Sequence, residues 1–161
     1  MLMKWAIYIV SVWISVKYAD RYTVVGPVFG LAVVAYDSKF FRNVSRDKHV
    51  MFVAASTFIY ALVYWVSLGK WESKSQLFNY FIGPFSVGVV LGSILLPLAH
   101  QIILRSSIAK TKQVIPSLVV SFYVVMLTAY LSNEFGFGAH FNFASVAIAV
   151  WQGLYLYLFF R

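Results

Sequence analysis

Residues 50–69, VMFVAASTFIYALVYWVSLG, run for twenty positions without one charged side chain. The hydrocarbon layer of a bilayer is ~30 Å thick and a helix rises ~1.5 Å per residue, so about 20 apolar residues make one helical crossing. The stretch lacks the period-two alternation of a barrel strand. Reading outward, residues 77–99, 114–132 and 142–160 have the same character. Pro84 and Pro97 fall inside 77–99 and predict kinks, because proline removes a backbone donor and clashes with the preceding turn. Residues 114–132 open beside Pro116, an early-helix position that suits proline.

The whole chain agrees with these stretches. Of 161 residues, 61% are apolar and 11% charged, and the mean hydropathy is +0.80. A soluble domain is roughly 45–50% apolar and about 25% charged. Too little polar surface exists to cover a water-soluble globule, and disorder requires the opposite composition.

The first 36 residues hold two shorter apolar runs, separated by Lys17, Asp20 and Arg21. As a single helix they would extend about 48 Å, too long for one crossing. Two short spans joined by a KYADRY hairpin fit better, with Lys17 and Arg21 snorkelling to the interface; a re-entrant pair shielded by other helices is the alternative. The opening segment resembles a signal peptide, but Lys17 would stand where a small residue is required before cleavage at Ala19, so it is expected to be retained.

The expected fold is therefore an all-α, polytopic transmembrane bundle forming a single domain. Its six spans are 4–19, 22–37, 50–69, 77–99, 114–132 and 142–160. With the N-terminus inside, nine Lys and Arg face the cytoplasm and four face outward. Basic loops resist translocation, so both termini are expected in the cytoplasm and the protein in a bacterial inner (plasma) membrane. Trp and Tyr near span ends read as an interfacial belt.

The net charge of +8 follows from the same asymmetry. No basic block with interleaved aromatics points to nucleic acid. The expected partners are the bilayer with its anionic headgroups and a membrane or cytoplasmic protein. Lys39, Arg42, Arg46, Lys48 and Arg105 are the inner-face candidates for contacting them. With no cysteine, thiolate metal sites, iron–sulfur clusters and cysteine nucleophiles are excluded. No cofactor or metal is expected, and the longest loops, 37–49 and 100–113, are too short for a nucleotide-binding fold.

Gly26 and Gly30, and Gly88 and Gly92, are each spaced as GxxxG, which lets helix backbones approach closely. VVGPV at 24–28 and FIGPF at 81–85 share an apolar–Gly–Pro–apolar pattern, and Gly/Pro-broken spans in matching positions mark midplane sites in transporters. All five acids fall in expected loops. The embedded polar residues are uncharged, and Asn79, Ser86, Asn142 and Gln152 are the candidates to line a solute site. Asp20, Glu134 and His140 are the candidates for acid–base catalysis on the outer face. His100, ending a span, reads as a helix C-terminal cap. The stretch 100–113 carries a crude apolar stripe that suits a segment lying along the membrane.

The segment FNFASVAI at 141–148 is similar to the FNxAD stretch of lipoprotein signal peptidases, but Ser145 stands where that family has its catalytic Asp. In size and span count the chain resembles a substrate-binding subunit of an energy-coupling-factor transporter. Small membrane immunity proteins are likewise short, basic and rich in aromatics. Three functions are expected in order. The first is a small-solute transport or binding module, or an accessory subunit of a transporter. The second is a non-catalytic membrane interaction protein. The third is an enzyme acting on lipids or headgroups, for which no catalytic signature exists.

Overall fold

The computed structural model describes residues 2–18, 21–40, 44–69, 75, 79, 81–134 and 143–160; of residues 2–5, 22, 37–40, 133, 134, 143–145 and 160 it describes the backbone. These residues form α1 (Leu2–Lys17), α2 (Tyr22–Phe40), α3 (Arg46–Ser67), α4 (Pro84–Leu104), α5 (Ile108–Glu134) and α6 (Phe143–Phe160). α3, α4 and α5 as far as Ser132 are long and apolar enough to cross a membrane.

Three boundaries differ from the sequence reading, each for a local reason. Pro84 is not a kink inside a span. Gly83 is extended, with φ −63° and ψ 169°, and Pro84 takes the first helical position, where its missing N–H costs nothing. Pro97 does lie inside α4. The segment 100–113 is not a surface stripe. α4 continues to Leu104, and Arg105, at φ 57° and ψ 38°, turns the chain so that α5 starts at Ile108. Pro116 therefore sits inside α5 instead of opening it.

Each helix packs against the next in chain order, and α6 packs back onto α1. The six helices thus close into a ring, across which α2 also touches α6. α2 and α3 run antiparallel, since Gly26 faces Thr57 and Gly30 faces Val53. So do α3 and α4, where Gly88 faces Ser67 and Gly92 faces Val63. At the far end Lys110 Nζ donates to the Phe159 carbonyl at 3.0 Å, placing a cation on the negative end of α6.

The surface is apolar and the interior partly polar, the reverse of a soluble bundle. Trp13, Leu31, Phe58, Trp65, Ile102, Val120 and Tyr157 are exposed, so every helix presents large apolar side chains outward. Ser15, Ser56, Ser93, His100 and Gln152 are buried. The main core joins Phe29, Phe52, Leu96, Leu118 and Tyr155; a smaller one joins Phe122, Met126 and Ala147 beneath Phe81 and Phe85.

Both GxxxG pairs are used against α3. A methyl at Gly26 would lie 2.7 Å from Thr57 Cα, and one at Gly30 would lie 3.0 Å from Val53 Cα. On the other side, a methyl at Gly88 would strike Ser67 Oγ and come within 2.9 Å of the Val63 carbonyl oxygen. The closeness also permits a hydrogen bond between helices, Ser56 Oγ donating to the Gly26 carbonyl at 2.9 Å. Gly26→Ala meets backbone that cannot yield and is expected to cost about 1–3 kcal/mol. Gly92→Ala meets only the Val63 Cγ2 methyl, at 3.1 Å, and should cost less. Unfolding in mixed micelles titrated with a denaturing detergent measures both; equal losses would contradict this account of the seam.

Candidate functional site

A cavity of about 140 Å³ lies between α2, α3, α4 and α6. Its lining comes from the N-terminal parts of α2, α4 and α6 and the C-terminal part of α3, so it occupies one half of the bundle. Tyr60, Tyr64, Phe85 and Trp151 supply rings, while Gly92 and Ala147 leave space. Among the described residues no Asp, Glu, Lys, Arg or His lines it.

The rings are held by neighbours. The Trp151 indole N–H donates to Ser93 Oγ at 2.7 Å, and Ser93 Oγ donates to the Val89 carbonyl at 2.8 Å. Trp151 stands perpendicular to Tyr60 at 6.3 Å between centroids, and Phe29 lies 5.8 Å from each. Ser67 Oγ, another lining group, donates to the Val63 carbonyl at 2.7 Å. The polar side-chain atoms of Trp151 and Ser67 in the lining are thus committed within the chain.

Tyr60 links the cavity to a polar cluster on the neighbouring helices. Gln152 of α6, fully buried, donates through Nε2 to Ser15 Oγ of α1 at 2.9 Å and to Tyr60 Oη of α3 at 3.0 Å. Its Oε1 is buried without a hydrogen-bond partner. Gly153, next in the chain, makes room for Tyr8, whose hydroxyl would lie 2.6 Å from an added methyl.

A second buried pair lies farther along α4 and α6. His100 Nδ1 and Tyr155 Oη share a hydrogen bond at 3.0 Å, and Tyr155 Oη also approaches the Leu96 carbonyl at 3.5 Å. The imidazole packs against Phe159 at 4.3 Å and Phe52 at 5.4 Å between centroids. At 1% exposure His100 does not cap the helix, as its place near a span end suggests; α4 runs on past it and its ring turns into the core.

Of the solute-lining candidates, Gln152 is in the polar cluster and Ser86 is buried in α4, but neither lines the cavity. Asn79 is exposed ahead of α4, with its backbone N–H donating to the Ser75 carbonyl at 3.1 Å. Asn142 lies outside the described residues, as do Asp20, Arg42 and His140; of Lys39 and Glu134 only the helix position is described. Arg46 and Arg105 are exposed and Lys48 is half-buried. Among the described residues no group of three or more His, Cys, Asp or Glu could hold a metal ion. Tyr60, Trp151 and Tyr155 escaped the sequence reading, which took aromatics as interfacial anchors, and His100 was read as a cap and not as a core residue. Helical spacing carries the missing signal: Ala147, Trp151, Tyr155 and Phe159 recur every fourth residue, and Ser93, Leu96, His100 and Leu104 every third or fourth.

No protein-family model, curated protein or solved structure matches this chain.

The His100–Tyr155 contact makes a measurable coupling. Tyr155→Phe removes one partner of a buried hydrogen bond and is expected to cost about 1–3 kcal/mol. His100→Leu should cost a similar amount. The double variant should cost less than the two losses together, by about 0.5–2 kcal/mol in detergent unfolding; strict additivity would show that the pair is not coupled.

Proposed function

We propose that this chain is a six-span integral membrane protein, and that it serves as a binding or transport module, or an accessory transporter subunit, for a small uncharged solute. The cavity between α2, α3, α4 and α6 carries this reading. It is comparable in volume with an engineered apolar cavity of ~150 Å³ that binds benzene. A pocket with apolar walls and few polar groups is the usual form of a small-molecule site. The lack of ionised side chains among the described lining residues favours an uncharged occupant, because a buried unpaired charge is costly. The interaction-protein reading has less support: Gly26, Gly30, Gly88 and Gly92, the seams a partner helix would use, are occupied by α3 of the same chain.

The membrane placement rests on the apolar exterior of all six helices. Arg46, Lys48, Arg105, Lys110 and Lys112 lie where α3 and α5 begin and α4 ends. Lys17 and Arg21 lie at the opposite end. That asymmetry favours the first end, and with it both termini, in the cytoplasm. A helical bundle suits an inner (plasma) membrane, where spans need not form a barrel. The cavity then sits in the outer half of the bilayer.

The chain has no cysteine, so single cysteines report topology cleanly. Ser45→Cys and Ser107→Cys should react with an impermeant maleimide only after the membrane is opened, and Ser75→Cys in intact cells. Labelling of Ser45→Cys and Ser75→Cys from the same side would refute six crossings. For the site, toluene should raise the unfolding temperature of the purified protein. Saturation at about 100 times the dissociation constant stabilises by about 2.7 kcal/mol. Val89→Phe, which places a ring in the cavity, should abolish the rise while leaving helix content unchanged.

A further inference from the structure

The hydrogen bond joining Tyr60 to Gln152 has spare capacity at both ends. Tyr60 Oη accepts from Gln152 Nε2 at 3.0 Å. A phenol has one proton to give as well as lone pairs to fill, and with the Gln152 amide in this orientation no acceptor among the described residues takes the Tyr60 proton. At the other end, Gln152 Oε1 is buried and accepts nothing. Leaving a buried hydrogen-bonding group unmade is costly, so spare capacity inside an apolar bundle marks a place where something else binds.

Tyr60 is also the residue that belongs both to this cluster and to the cavity lining. Accepting the Gln152 amide polarises the hydroxyl, which strengthens it as a donor. Two other side-chain donors of the lining are already committed: Ser67 is bonded to Val63 and Trp151 to Ser93. Most of the remaining described wall is aliphatic or aromatic.

We infer that the cavity selects an uncharged single-ring compound with a hydrogen-bond acceptor at its edge, a carbonyl or a ring nitrogen, that receives the Tyr60 hydroxyl proton. Gln152 is a positioning residue that holds and polarises that hydroxyl. The inference rests on the cavity being a binding site, as proposed above, and adds the polar feature that the ligand must carry.

Acetophenone and α-methylstyrene test it, because they differ only in C=O against C=CH₂. Their affinities for the full chain in detergent are read by saturation of the thermal shift. The ketone is expected to bind about five-fold more tightly, the factor of one net hydrogen bond. The carbonyl stretch of bound ketone should fall below its frequency in alkane, a readout that needs no variant. Tyr60→Phe should abolish the preference, so that the ketone binds no more tightly than α-methylstyrene, while α-methylstyrene binding persists, which also shows that the variant is folded. Equal binding of both probes to the wild type, with the carbonyl stretch unshifted, would overturn the inference and leave the cavity reading standing. Binding of neither probe would overturn both.

Discussion

The close approach of α2 and α4 to the two sides of α3 is the constraint on which the rest of the molecule depends. In lipid, burying apolar surface drives helix association weakly, so backbone contact and packing must supply it. Glycine provides both on α2 and α4, and Ser56 adds a hydrogen bond to the Gly26 carbonyl that is possible only at that separation. With these three helices fixed, Phe29, Tyr60, Trp151 and Tyr155 meet in the middle. The cavity is the space that this cluster of rings leaves beside Gly92 and Ala147.

Polar side chains are handled in two ways. Thr57, Ser67, Ser93, Ser117 and Thr128 return their hydroxyl protons to carbonyls four residues back, which neutralises them within their own helix. A few others reach between helices, and α6 supplies most of these: Trp151 to Ser93, Gln152 to Ser15 and Tyr60, Tyr155 to His100. In a low-dielectric interior a misplaced partner leaves a costly orphan, so these bonds fix the rotation of α6 against three neighbours.

Helix number and approximate position were legible because length and hydropathy are summed over many residues. Boundaries were less so. The Gly83–Pro84 junction was read as a bend, since sequence does not say whether proline sits inside a helix or begins one. The turn at Arg105 was hidden for a similar reason: a non-glycine residue in the left-handed region has no sequence signature. GxxxG announces a close approach but not its partner, and that both pairs grip α3 is a property of the folded chain. For the candidate site, ranking residues by polarity pointed to Gln152, which is buried beside the cavity and not in its wall, and passed over Tyr60 and Trp151. An aromatic at a span end and one in a cavity wall look alike until the helices are brought together.

Closing the ring through α1 and α6 has a consequence for biosynthesis. Four helices separate α1 from α6 along the chain, so during synthesis Ser11 and Ser15 lack their final surroundings until α6 is made. Arrival of Gln152 is then the event that seals the bundle. A chain stalled before residue 152 would leave the ring open, with Ser15 lacking the Gln152 amide that donates to it.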